Sequence, residues 1–372
     1  MSDAPIPEAP GLSTGTIERI RLYATRNEAR LSATFFIAGF LFDILTLGRI
    51  DSWLTIGQQA AYLVLITVVL VQMLGAEGRP APDLAAAPRL KRWYYEYRNP
   101  AIHFLLGALL SAYTLFFFKS SSLLVSAGFL AVLLVLLVAN ELPRFKALGL
   151  PFKFALLGLC WLAFFSYVVP VLIGQTGLFV FLASMAVGCV PYIVAGFRLP
   201  KESKRKMFIP LGAILVVFLT FYLFRLIPPV PLSIPFMGVY HGVERTDQGY
   251  KLIHQRPAWR FWHNGDQHFL AQGGDRVFVY FRIFSPGRFS DQVLMRWYFR
   301  DGARGWALQD TVPIKIVGGR EEGFRGYGVK SNYQRGDWKV QVETTDGREI
   351  GRVYFDLEAA PQAPRTFNVE TD

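Results

Sequence analysis

Four of the five histidines, His241, His254, His263 and His268, fall within 28 residues. Imidazole titrates near neutrality and is the commonest metal ligand, so a local excess raises metal or acid–base chemistry. Asn264-Gly265 has the form of a two-residue hairpin turn. Such a turn sets His263 opposite Asp266 and puts His268, two residues on, on the same face. A His263–Asp266–His268 group suits a divalent cation. The spacing is not that of an established metal motif, and solvated turn residues fit it equally. No Ser-His-Asp or paired-carboxylate constellation stands out, so no catalytic residue is assigned and no cofactor is expected.

A second candidate comes from alternation. In 277–284, Phe278, Tyr280 and Arg282 share one side; in 293–300, Leu294, Arg296, Tyr298 and Arg300 do. If these segments pair as strands through the 285–292 loop, aromatic rings and guanidinium groups line one surface. That surface suits stacking on sugar rings and holding anionic groups. It serves equally for contact with a protein, with the membrane surface or with the chain's own helices, or as a plain solvated sheet.

A third set lies inside apolar runs, where an ionisable side chain is costly and points to function. Asp43 and Arg225 both fall toward one end of their runs and invite pairing; His103 sits near the start of another. The alternative has Arg225 snorkelling to headgroups and Asp43 meeting a hydroxyl or water within a bundle. Cys160 and Cys189 also lie in apolar runs and read as small buried residues. There is no disulfide framework and no CxxC motif.

The elements that must position these groups are of two kinds. Charged residues are only 18% of the chain and hydrophobic ones 52%, short of charge for a soluble protein. Residues 31–229 hold the long apolar runs. A span needs about 20 apolar residues, which gives about seven candidates: 31–49, 57–75, 101–118, 121–139, 152–173, 177–197 and 208–229. Lys and Arg number 17 in the 1–30 segment and alternate connections, against two (Arg49 and Lys119) in the others. That bias sets the N-terminus in the cytoplasm and the C-terminal part outside it. It also explains most of the net charge of +11, since residues 230–372 carry 19 Lys/Arg and 17 Asp/Glu. Nucleic-acid binding is therefore not expected; the lipid bilayer is the first partner.

The boundaries follow. Residues 1–30 form a cytoplasmic tail, with an interfacial helix capped by Thr16 as one reading, and show no cleavable signal. Residues 31–229 form the transmembrane bundle, with Trp93, Tyr94, Tyr95 and Tyr97 as a cytoplasmic aromatic belt. Pro228, Pro229, Pro231 and Pro235 favour an extended spacer over 230–236. From 237 to 358 the period becomes two: Val277, Val279, Phe281 and Ile283; Val293, Met295, Trp297 and Phe299; Trp338, Val340, Val342 and Thr344; Val353, Phe355 and Leu357. With Asp346-Gly347 as a hairpin turn, this predicts an all-β, immunoglobulin-like sandwich. Residues 359–372 read as a flexible tail.

Arg296-Trp297-Tyr298, Phe324-Arg325 through Lys330-Ser331, Gly336-Asp-Trp-Lys-Val-Gln-Val342, Asp346-Gly347 and Tyr354-Phe355 resemble the bacterial domain-of-unknown-function family 2914, over about residues 290–358. Members often place His before the first Trp, where this chain has Arg296. The resemblance implies a cell-envelope setting and no activity. The expectation is a multi-pass inner-membrane protein with N-terminus cytoplasmic and a periplasmic or extracellular sandwich that binds an envelope protein or glycan, more a scaffold than an enzyme. The alternative is a membrane enzyme or transporter acting on a lipid-linked substrate. Oligomeric state is not set by the sequence.

Overall fold

The computed structural model describes residues 47–372 except 81–82, 84–86, 121–122, 198, 248, 261, 288, 303–304 and 319–322. Six long helices come first: α1 (Trp53–Gly75), α2 (Arg89–Lys119), α3 (Leu123–Glu141), α5 (Leu150–Ile173), α6 (Leu178–Gly196) and α7 (Lys201–Leu223), with a single turn, α4 (Pro143–Lys146), between α3 and α5. Five of the six are long and apolar enough to cross a membrane; α3 contributes a shorter apolar stretch, Ser126–Asn140. These match six of the seven expected spans. The seventh, 31–49, lies outside the described residues except for 47–49, which are not helical; Asp43 and the 1–30 tail also lie outside them.

The bundle is built around α5, whose residues are buried along nearly its whole length. Small residues let neighbours approach it: a Cβ on Gly188 of α6 would meet Leu162 Cδ2 at 2.9 Å, and one on Gly158 of α5 would meet Leu211 Cδ1 at 3.2 Å. That is how apolar helices associate without a hydrophobic gain between them and lipid. Helix α2 has 31 residues, about 46 Å at 1.5 Å each and longer than the ~30 Å hydrocarbon core. Its first turns, with exposed Trp93 and Tyr97 and with Arg98 over Tyr95 at 4.5 Å, extend the span beyond its apolar part.

Helix α7 ends on Arg225, a non-glycine residue at φ 59. Arg225 N–H donates to Tyr222 O and Leu226 N–H to Phe221 O, the paired closure of a Schellman end. Arginine there costs about 1 kcal/mol relative to glycine. The expected extended spacer does not form. Ile227 to Leu232 are all buried in a turn between the bundle and the first strand, because the proline rings pack on apolar neighbours rather than face water.

Eleven strands follow: β1 (Ser233–Tyr240), β2 (Gly242–Thr246), β3 (Gly249–His254), β4 (His268–Ala271), β5 (Val277–Phe284), β6 (Ser290–Asp301), β7 (Gly305–Val317), β8 (Phe324–Lys330), β9 (Gly336–Thr344), β10 (Glu349–Ala359) and β11 (Asn368–Thr371). Sheet β1-β5-β8 packs on sheet β4-β10-β9-β6-β7. The expected inward residues make the core between them: Val279, Phe281, Ile283, Val293, Met295, Trp297, Trp338, Val340, Val342, Val353, Phe355 and Leu357. Gly328 of β8 lets the core pack closely, since a Cβ there would force Met295 Sδ to shift.

A third sheet, β11-β3-β2, covers the back of β5. The tail expected to be flexible supplies β11: residues 368–371 pair antiparallel with 251–254. Asp372 then anchors the end. Its carboxylate accepts from Tyr280 Oη at 2.5 Å and from Arg282 Nη1 at 2.7 Å, with Arg325 Nε 3.5 Å away.

The sandwich sits directly on the bundle. Tyr222 Oη donates to Asp346 Oδ2 at 2.8 Å, and Arg348 lies over the Tyr222 ring at 4.5 Å. Thr176, in the α5–α6 connection, donates its N–H (2.9 Å) and hydroxyl (2.8 Å) to Asp291 Oδ2, while Ser290 N–H donates to Gly174 O at 3.0 Å.

Candidate functional site

Strands β5 and β6 do not pair; they belong to opposite sheets. The aromatic–arginine surface expected from their pairing therefore splits in two. Phe278, Tyr280 and Arg282 lie under the third sheet. Tyr280 is fully buried among Phe236, Tyr240 and Tyr250, and Arg282 is committed to Asp372. This half is an internal interface, not a ligand surface.

The other half faces outward from the five-stranded sheet. Arg296 Nε pairs with Glu343 Oε1 at 2.8 Å and Arg300 with Asp337 at 3.0 Å. Lys339 sits over the Tyr298 ring at 4.2 Å and 5.4 Å from that of Trp306, which packs against Tyr354. Each cation here already has a carboxylate or a ring, so the face is self-satisfied.

The histidines divide as well. Asn264-Gly265 is not a hairpin turn. Gly265 (φ 69) runs beside β1, where a side chain would overlap Val239 O. Asp266 turns inward: its two oxygens accept from Gln255 N–H at 3.0 and 2.8 Å, and His241 Nε2 lies 3.7 Å away. Burial pushes the Asp266 carboxyl up to about 6 against backbone N–H bonds from Gln255 and Arg256. Burial pushes His241 down to about 4, although Asp275, 3.8 Å off, favours its cation. His268 instead meets Asp356 (3.4 Å) and Glu358 (3.8 Å) on the outer side of β4 and β10. So His263, Asp266 and His268 do not converge as a metal site. His268, Asp356 and Glu358 do offer three ligand atoms within 4.8 Å of one another, all solvent-facing.

In the bundle, His103 Nδ1 meets Asn140 Oδ1 at 2.9 Å and Asn140 Nδ2 donates to His103 O at 2.9 Å. The amide thus holds one ring nitrogen and the backbone carbonyl of the same histidine, which reads as helix-to-helix glue between α2 and α3. Arg225 packs against the β9–β10 turn: a Cβ on Gly347 would stand 2.7 Å from its Nη1. Its pairing with Asp43 lies outside the described residues. The cavity between bundle and sandwich, lined by Phe117, Thr176, Phe181, Ile227 and Arg348, holds about 20 Å³, room for one or two waters.

A feature not singled out from the sequence lies in the segment joining β3 to β4. Trp259 and Trp262 are 61% and 59% exposed, with ring centroids 5.7 Å apart and planes at 65°. Arg260 lies over Trp259 at 4.7 Å. The same segment and β4 enclose a 120 Å³ groove lined by Arg256, Arg260, His263, Asp266, Gln267 and His268, with neither indole in its walls. The signal was present: two tryptophans between Pro257 and Asn264-Gly265, in a segment with no strand alternation to bury them.

With the geometry in place, comparison with known proteins adds one assignment. Residues 290–357 match the family DUF2914, a protein of unknown function. The match begins at β6 and ends in β10, so it covers four of the five strands of the larger sheet, together with β8, and leaves out the bundle and the Trp259–Trp262 segment. No curated protein matches the chain. Among solved structures, an immunoglobulin-like protein from Pseudomonas aeruginosa matches at 12% identity and TM-score 0.22, covering 35% of this chain and 98% of its own. An alkylpurine DNA glycosylase from Pseudomonas fluorescens, bound to DNA containing an abasic-site analogue, matches at 10% identity and TM-score 0.23, covering 72% and 73%. At those scores neither likeness carries an argument about this chain.

Proposed function

We propose that this chain is an inner-membrane protein that presents an immunoglobulin-like sandwich, held in one orientation outside the cytoplasmic face, to recognise a protein or glycan of the cell envelope. The observation that carries the reading is the clamp between Asp346, Arg348 and Tyr222, seconded by Asp291 and Thr176. A domain that had only to be tethered would need a linker; here buried prolines and charged hydrogen bonds fix its attitude. The packed seam, with its 20 Å³ cavity, supports a display role over an enzyme or transporter working on a lipid-linked substrate, which needs a deep polar cavity open to one side. Photocrosslinkers placed at exposed sandwich positions and at lipid-facing helix positions test it in native membranes. The expected outcome is an envelope protein or glycan adduct from the sandwich set alone. Adducts to a lipid-linked substrate from between the helices would favour the enzyme or transporter reading instead.

A further inference from the structure

We infer that Lys153 and Arg98, at the end of the bundle away from the sandwich, form a site for the phosphate of an anionic phospholipid headgroup. The site belongs to the helices and is independent of what the sandwich recognises.

Lys153, in the first turn of α5, is 4% exposed. A lysine at a membrane edge ordinarily snorkels, with its stem in the apolar layer and its ammonium among the headgroups. This one is covered. Among the described residues its one hydrogen bond runs from Nζ to the neutral Oδ1 of Asn99 at 2.6 Å. An ammonium carries three donors, so Asn99 leaves part of it unused and none of its charge offset. Lys330, the other lysine buried among the described residues, sets its Nζ against the carboxylate of Asp310.

The charged neighbour that acts on Lys153 is Arg98, a second cation. Arg98 is half-buried, its guanidinium 4.5 Å from the Tyr95 ring and 6.0 Å from that of Tyr94, with no carboxylate against it among the described residues. A guanidinium lying on a ring keeps the donors on its edge, which match the oxygens of a phosphate. A buried charge without a counter-charge is costly, and two cations side by side call for an anion.

Depth selects a lipid. Helix α5 runs from the Lys153 end to Gly174, whose carbonyl accepts from Ser290 N–H at the sandwich seam. About 21 residues at 1.5 Å each make roughly 30 Å, the thickness of the hydrocarbon core. Lys153 and Arg98 therefore stand at the headgroup level of the far leaflet, the cytoplasmic one in the orientation proposed above. Exposed Trp93 and Tyr97 mark the same end. Asn99 is exposed as well, so the ammonium lies one side chain below the surface that headgroups touch. A zwitterionic headgroup pairs its phosphate with its own amine. An anionic one brings the net charge that these two cations lack.

Unfolding midpoints of the full chain in neutral detergent are read with phosphatidylglycerol, with phosphatidylcholine and with inorganic phosphate. Phosphatidylglycerol is expected to raise the midpoint, because a ligand that binds only the folded chain stabilises it; phosphatidylcholine should raise it less. Lys153→Met should raise the lipid-free midpoint, since it removes an unpaired buried charge, and should lose the phosphatidylglycerol shift. Arg98→Gln should weaken phosphatidylglycerol binding about fivefold, the factor that corresponds to about 1 kcal/mol for one cation near an anionic surface. Lys201→Gln, exposed at the same end, should keep the shift of the parent. Equal shifts from the two lipids would overturn the assignment. So would an undiminished shift in Lys153→Met or in Arg98→Gln, or a lower lipid-free midpoint for Lys153→Met, which would mean that the Asn99 bond alone satisfies the lysine. Inorganic phosphate reproducing the full shift would make this a free-anion site and overturn the lipid.

Discussion

The hydroxyl of Tyr222, in the last turn of α7, donates to the carboxylate of Asp346 in the β9–β10 turn at 2.8 Å. Asp346 also accepts from Thr344 Oγ1 at 2.5 Å and pairs with Arg348 at 2.8 Å. One carboxylate thus closes its own hairpin and joins the sandwich to the helix end.

Asp346→Ala removes all three partners and leaves the buried Arg348 without its counter-charge. We expect a loss of about 2–4 kcal/mol, read as a lower unfolding midpoint of the full chain. Tyr222→Phe removes one hydrogen bond and should cost about 1 kcal/mol. Burial works against the Asp346 anion, but Arg348, Thr344 and Tyr222 outweigh it and hold the carboxyl below its usual value. Its stabilising contribution is therefore complete above about pH 4 and lost as pH falls through the depressed value. An Asp346→Ala midpoint equal to that of the parent at pH 7 would remove the clamp.

His241 and Asp266 exchange roles with pH. Folded Asp266 keeps its proton up to about pH 6, where the unfolded chain has released it, so falling pH favours folding. Folded His241 refuses a proton until about pH 4, where the unfolded chain accepts one below about 6.5, so falling pH opposes folding. Between pH 4 and 6 the two nearly cancel. The neighbours Asp275, Arg365, Arg256 and His254 are common to every protein compared. Asp266→Asn should lose stability as pH drops from 6.5 to 4, by up to about 1.4 kcal/mol per pH unit. His241→Gln should gain stability over the same interval. Parallel pH curves for parent and both variants would contradict the assignment.

Burial now ranks the aromatic residues. Trp297→Ala and Trp338→Ala open the main core and should each cost about 3–5 kcal/mol. Tyr280→Ala belongs with them, because its ring lies between sheets and its hydroxyl holds Asp372. Arg300→Ala, exposed on the outer face, should stay within about 0.5 kcal/mol. Chemical denaturation of the four variants tests the order; a neutral Tyr280→Ala would mean the third sheet does not pack.

The 17-to-2 division of Lys and Arg predicts that the C-terminal domain lies outside the cytoplasm. A reporter active only outside the cytoplasm should work when fused after Asp372 and stay silent when inserted between residues 79 and 98. The reverse pattern would refute the orientation.

The alternating residues around Trp297, Trp338 and Phe355, and the Asp346-Gly347 turn, are legible in the sequence because strand period and turn chemistry are local properties. The same holds for the six helices that coincide with apolar runs. What was not legible concerns which surface meets which. Alternation placed Tyr280 and Tyr298 on the backs of their strands, but only the tertiary structure puts β5 and β6 in opposite sheets, so one ring is buried and the other faces out. His263, Asp266 and His268 are close in the chain yet diverge, because Gly265 runs beside Val239 instead of reversing the chain. Asp356 and Glu358, some 90 residues away, come to His268 through the parallel pairing of β4 with β10. Periodicity fixes the side of an element on which a residue lies. Long-range pairing decides what that side touches, and it depends on contacts between residues far apart in the chain, which no local pattern encodes.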